Sequence, residues 1–172
     1  MEYYNKEMKI EDKHSEILKI LEENARLSDR EIATLAGLKE SEVKSIIEEL
    51  ETKGIIRKYK AIIDYEKAGI EAVQALIDIK VIPERSTGYD NIAERISKFP
   101  EVKSVRLVSG EYDLSVLVAG KTMREVAYFV AEKIAPLEQV RNTVTHFLLK
   151  TYKENGEVYG EEEEGRRLRV TL

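Results

Sequence analysis

The side chains best placed for chemistry lie in one short run. Ile55-Ile56-Arg57-Lys58-Tyr59-Lys60-Ala61-Ile62-Ile63 alternates apolar and basic residues before breaking at Asp64. Arg57, Lys58 and Lys60 make a compact cationic stripe of the kind that neutralises phosphate without regard to sequence. Just upstream, Ser41, Lys44 and Ser45 recur at helical spacing, with Glu48 one turn further on. Hydroxyls and an ammonium on one helix face suit hydrogen bonding to base edges. Nucleophilic and metal chemistry is poorly provided for. There are no cysteines, which excludes disulfides, thiolate metal sites, iron–sulfur clusters and cysteine nucleophiles together. The two histidines, His14 and His146, are far apart in sequence, so no catalytic residue, metal or cofactor is expected. His14 reads as a surface residue of the first helix and His146 as an ordinary sheet residue.

Charge balance opposes the phosphate chemistry. The chain of 172 residues has 28 basic and 33 acidic side chains, a net charge of −5. Neither half relieves this: residues 1–65 carry 12 basic and 15 acidic groups, and residues 66–172 carry 16 and 18. A surface for nucleic acid must therefore be local. The longest uncharged stretch, Asn142–Leu149, is eight residues, far below the roughly 20 that a membrane helix needs. The N-terminus, MEYYNKEMKIEDKH, has no apolar signal core, so a cytoplasmic location is expected.

Elements that position the cations follow from periodicity. Ile17, Leu18, Ile20 and Leu21 form one apolar stripe. Ser28-Asp29-Arg30-Glu31 is a capping box opening a second helix, with Ile32, Ala33 and Leu35 inward and Gly37 as its stop. A third helix carries Val43, Ile46, Ile47 and Leu50 and ends at Gly54. With the basic run read as a strand pair, the pattern is a winged helix-turn-helix whose third helix enters the major groove. Glu40, Glu42, Glu48, Glu49 and Glu51 outnumber Lys39, Lys44 and Lys53 on that helix. Phosphate contact then falls to Arg57, Lys58 and Lys60.

The remainder reads as βαββαβ. Val73, Ala75, Ile77, Ile79 and Val81 alternate on one strand face, and Pro83 ends the run. Ile92, Ala93 and Ile96 mark a helix stopped by Phe99-Pro100. Val102–Val108 and Tyr112–Ala119 flank a turn at Gly110-Glu111. Thr122-Met123-Arg124-Glu125 is a second capping box, opening a helix with Met123, Val126, Ala127, Val130 and Ile134 inward. Val140–Lys150 closes the sheet. The fold class expected is α+β: an N-terminal winged helix-turn-helix followed by a ferredoxin-like domain with two helices on one sheet face. The other face, with Leu76, Ile82, Leu117, Val144 and Leu148, is left bare and is expected to pair with a copy of itself.

Over residues 12–152 the chain resembles the Lrp/AsnC (leucine-responsive, feast/famine) family of transcription regulators. The resemblance rests on Ile17-Leu18, Ala36-Gly37-Leu38, Val43…Ile47…Leu50-Glu51…Gly54-Ile55-Ile56 and Tyr59…Ala61…Ile63-Asp64, then Val108-Ser109-Gly110-Glu111-Tyr112-Asp113 and Val140…Thr143-Val144-Thr145. It implies an N-terminal DNA-binding domain and a C-terminal domain that dimerises, binds small effectors such as amino acids, and builds higher oligomers. Three positions depart from the family's pattern. Ile46 stands where arginine is common, Lys39 where serine or threonine caps the recognition helix, and His14 where aspartate is common in the first helix. For the effector the resemblance points to Gly110, Tyr112 and Asp113 in the hairpin and Thr143 and Thr145 on the last strand. Asp113 offers a carboxylate for an ammonium, and Gly110 lets a ligand approach the backbone. The plainer alternative keeps Gly110 as a turn residue, Asp113 as a strand start and both threonines as strand formers.

The domains expected are residues 1–64 for DNA binding, 65–152 for effector binding and oligomerisation, and 153–172 as a charged tail. In that tail the acidic run Glu161–Glu164 precedes Arg166-Arg167-Leu168-Arg169-Val170-Thr171-Leu172. It reads as a solvated end, or as a strand added to a neighbour, or as a competitor for the cationic run. The function expected is a sequence-specific regulator, not an enzyme, that binds a pseudo-palindromic double-stranded DNA site as a homodimer or higher homo-oligomer. Its effector is expected to be an amino acid or related metabolite. Two alternatives remain: a metabolite-sensing co-regulator without its own DNA binding, and a tetrapyrrole decarboxylase of similar architecture, for which the chain offers no clustered His and Arg set.

Overall fold

The computed structural model describes residues 12–85 and 87–159. The chain divides into two compact units, with the boundary between Ala61 and Ile62.

The first unit packs three helices: α1 (Asp12–Glu23), α2 (Asp29–Ala36) and α3 (Glu40–Thr52). Ser28 caps α2 by accepting from the Glu31 amide, while the Glu31 carboxylate accepts from the Ser28 amide. Gly37, at φ 65°, supplies the left-handed stop that a side chain would resist. Ile17, Ile32, Ala33, Val43, Ile46 and Leu50 close the core. Leu35, expected inward, is 63% exposed, because it sits about 100° around α2 from the stripe of Ile32, Ala33 and Ala36. Lys39 begins α3 with no side-chain cap bond.

The expected strand pair after α3 is not formed. Residues 55–63 have no ladder partner among the described residues, and the Ile55 and Ile56 amides bond back to the Leu50 carbonyl. The run has no internal turn residue to fold it back on itself. Its first reversal is the turn at Asp64–Gly69, where the Asp64 carboxylate accepts from the Lys67 amide at 2.9 Å.

The second unit is βαββαβ: β1 (Val73–Val81), α4 (Asp90–Ser97), β2 (Val102–Leu107), β3 (Leu114–Gly120), α5 (Met123–Phe129) and β4 (Val140–Phe147). The sheet order is β2-β3-β1-β4 and every pairing is antiparallel. β3 thus slots between the two strands that α4 connects, the split βαβ arrangement. Ala75, Ile77, Ile79 and Val81 face the helices and are buried, with Leu114, Val116 and Val118 beside them on β3.

α5 differs from expectation on two counts. Its inward stripe is Val126, Phe129 and Val130, prolonged by a π-helical turn at Val130–Ile134, whereas Met123 and Ala127 are exposed. Phe129 meets Phe99 edge to face at 5.5 Å. The cap is also shifted: Thr122 accepts from the Glu125 amide, but Glu125 reaches back to the Lys121 amide at 2.8 Å.

Beyond β4, the region expected as a tail begins with a hairpin of β5 (Lys153–Glu154) and β6 (Glu157–Val158). Its turn is Asn155-Gly156, both at positive φ, as a two-residue hairpin requires. The segment 160–172, and with it the Glu161–Glu164 run, lies outside the described residues.

Candidate functional site

Ser41, Lys44 and Ser45 are exposed together on one face of α3, with Glu48 one turn on. Val43, Ile46 and Leu50 take the opposite face into the core. Ile46 is therefore a packing residue, and the groove face is made by its neighbours.

The acids of α3 are largely engaged within the unit. Glu42 pairs with Lys13, and that bond holds its carboxyl below the usual carboxylate range. Glu49 pairs with Lys53 and lies 3.6 Å from His14 Nε2. Its carboxyl is likewise held down, chiefly by the Lys53 bond. Glu51 accepts a hydrogen bond from the Tyr59 phenol at 2.9 Å. Burial, then the Glu51 carboxylate, pushes the Tyr59 hydroxyl up to about 12, so it stays a donor at neutral pH. Sequence reasoning missed this contact, which ties the segment after α3 to the end of that helix with Arg57, Lys58 and Lys60 around it. Those three cations are exposed and make no ion pair among the described residues.

In the second unit, Gly110 turns the chain at φ 138°, a region that only glycine enters readily. Asp113 stands at the end of this turn and is heavily engaged. Its carboxylate accepts from the Val81 amide at 3.0 Å, from Lys80 Nζ at 3.3 Å and from the Tyr89 hydroxyl at 3.5 Å. Lys80 also donates to the Glu111 carbonyl at 2.7 Å, which pins the turn. The Val81 amide bond is the main cause holding the Asp113 carboxyl below its usual range. Three of roughly four lone-pair positions on this carboxylate are thus used by the chain itself.

Thr143 and Thr145 are paired across from Ile79 and Ile77, so they share the helix-covered face of the sheet. Leu114, also on that face, pairs with Ile79 from the other side. Asp113 lies in a bend just before β3, outside the strand's alternation, and its carboxylate reaches Lys80 and Tyr89. The hairpin and the two threonines therefore flank β1 within the sheet, on its β3 and β4 sides respectively. On the open face, His146 Nε2 lies 3.3 Å from Asp78, among Leu76, Leu117 and Val144. Among the described residues no group of three or more His, Cys, Asp or Glu is placed to hold a metal ion.

Comparison with known proteins identifies both units. Residues 10–57 match the family model for winged helix-turn-helix DNA-binding, and residues 74–158 match the Lrp/AsnC ligand binding domain. An uncharacterized HTH-type transcriptional regulator of Bacillus subtilis, YugG, is 47% identical over 165 residues, covering 95% of this chain and 99% of its own. The HTH-type transcriptional regulator FL11 of Pyrococcus horikoshii is 34% identical over 142 residues, 83% of this chain and 91% of its own. Among solved structures, the complex of transcriptional regulator NMB0573 from Neisseria meningitidis with L-Met aligns with a TM-score of 0.68 at 26% identity. That alignment covers 84% of this chain and 92% of the other.

The Asp113 contacts carry a pH signature. A carboxyl whose pKa is depressed by folding adds stability above its unfolded value and loses it as pH falls through the folded one. Asp113→Ala should therefore cost about 2 kcal/mol at pH 7 by urea denaturation. The gap from wild type should close as the pH is lowered from 7 toward about 2. An equal gap at both pH values would show that the cost is packing.

Proposed function

This chain belongs to the Lrp/AsnC family of transcription regulators, and from that premise we propose how it holds DNA and what it answers to. The observation that carries the proposal is the Tyr59–Glu51 bond, which fastens the Arg57–Lys60 segment beside the groove face of α3. Ser41, Lys44 and Ser45 then read base edges, while Arg57, Lys58 and Lys60 hold phosphates. The chain acts without catalysis, in the cytoplasm. No helix among the described residues is long and apolar enough to cross a membrane.

The ligand of the second unit is an amino acid or a close relative, as L-Met is for the Neisseria regulator. Gly110, Tyr112, Asp113, Thr143 and Thr145 are the residues proposed for it. Asp113 and the two threonines lie on either side of β1, and we place the ligand where two protomers meet. The open sheet face supports such a meeting. Leu76, Leu117 and Val144 are only half-buried there, and a face of that kind pairs with its own copy about a two-fold axis. A two-fold protein presents two recognition helices to a pseudo-palindromic site about one DNA turn apart, or a multiple of it.

Duplex binding should be titrated against salt, with and without each of the twenty amino acids. Substituting Arg57, Lys58 or Lys60 by Ala should weaken binding to all duplexes alike and reduce the salt slope by about 0.9 for each phosphate no longer neutralised. Lys44→Ala and Ser45→Ala should instead cost about 1–3 kcal/mol at particular base pairs. Uniform losses from all five changes would mean that α3 reads no bases, and insensitivity to every amino acid would remove the effector assignment.

Assembly has its own test. Light scattering at micromolar concentration should give at least a dimer mass, and Leu117→Asp should leave a folded monomer, because an unpaired charge in a buried interface is costly. A dimer that survives this change would place the interface on another surface.

A further inference from the structure

A groove of about 720 Å³ runs along the second unit, between the turn at residues 63–67 and the segment 148–151 that follows β4. Its walls are mixed. Ile63, Tyr65, Leu148 and Leu149 are exposed apolar residues, and Leu149 is 88% exposed. Asp64, Glu66 and Glu154 add three carboxylates against two cations, Lys67 and Lys150. Lys67 already faces Asp64 at 4.0 Å, and Lys150 stacks over the Tyr152 ring at 5.0 Å, so the groove is left with an excess of negative charge. The groove thus combines exposed apolar side chains with an anionic rim, a lining that suits a segment both apolar and cationic.

The chain itself supplies a fitting segment. Tyr159 lines the groove and is followed by thirteen residues. The last seven, Arg166-Arg167-Leu168-Arg169-Val170-Thr171-Leu172, alternate apolar Leu168, Val170 and Leu172 with Arg167, Arg169 and Thr171. That period of two gives an extended segment one apolar face and one cationic face. Gly160–Gly165 spans up to about 20 Å when extended, enough for the chain to leave Tyr159 and double back. We propose that Arg166–Leu172 docks in this groove of its own chain, with Leu168, Val170 and Leu172 against the apolar wall and the arginines against Asp64, Glu66 and Glu154. The docked segment covers the exposed leucines and braces residues 63–67, through which the second unit joins the helix-turn-helix. Gln74 and Leu148 place this groove at the end of the open sheet face, beyond Leu76 and Val144.

Because the chain has no tryptophan, a single introduced one reports without background. In full-length Val170→Trp the emission should be blue-shifted, and acrylamide should quench it at least threefold less than in the same protein also carrying Leu149→Asp. Leu149 lies outside both cores, so that second change spares the fold. Glu66→Gln with Glu154→Gln should also raise quenching, and Leu172→Trp should repeat the pattern if the bulk at Val170 itself interferes. Equal, solvent-like quenching in both tryptophan proteins with and without Leu149→Asp would overturn the proposal. So would protection that disappears on dilution in step with dissociation to monomers, which would seat the segment on a second copy.

Discussion

A chain of net charge −5 can hold a polyanion only where its acids are kept away from its cations. The helix-turn-helix meets this constraint by local pairing. Lys13 takes Glu42, Lys53 and His14 lie against Glu49, and the Tyr59 hydroxyl takes Glu51. Each exposed pair is worth little in stability, typically under about 1 kcal/mol. Their value is in where they leave the remaining charge. Arg57, Lys58 and Lys60 are exposed on a segment tied to α3 by the Ile55 and Ile56 amides at its start and by the Tyr59–Glu51 bond further on. On the proposed roles of these cations, binding to DNA depends on position more than on total charge.

In the second unit the same dependence on position rests on β1. It lies inside the sheet with partners on both sides, and four of its side chains are buried under α4 and α5. Its exit is held by Asp113, which reaches the Val81 amide and Lys80 while Lys80 pins the Glu111 carbonyl. The hairpin expected to meet an effector is therefore tied to the end of β1. A ligand ammonium that reaches Asp113 must share or displace Lys80.

Legibility from sequence followed the range of the interactions. The α2 capping box, its glycine stop and the stripes of α1, α3 and β1 are set by residues within one or two turns of each other, and they appear where the spacing places them. Leu35 and Met123 fall at the margins of short helices, where a single turn decides inward from outward. The strand pair expected after α3 is absent because alternation marks an extended segment but says nothing of a partner. Conversely, Asn155-Gly156 is a strong local hairpin signal inside a stretch whose charge suggests a simple tail. The Asp113 and Tyr59 contacts were not legible: Lys80 lies 33 residues from Asp113, and nothing in the spacing of Glu51 and Tyr59 distinguishes them from other surface residues.

The claim that position governs DNA binding is tested most directly by Tyr59→Phe, which removes one hydroxyl and no charge. Affinity for a non-specific duplex should be measured across a salt series by fluorescence anisotropy. The account predicts binding weaker by several-fold at every salt concentration with an unchanged salt slope, since the cations remain but are no longer held in place. Affinity equal to wild type across the series would contradict it, leaving the Tyr59–Glu51 bond as a surface contact without a part in DNA binding.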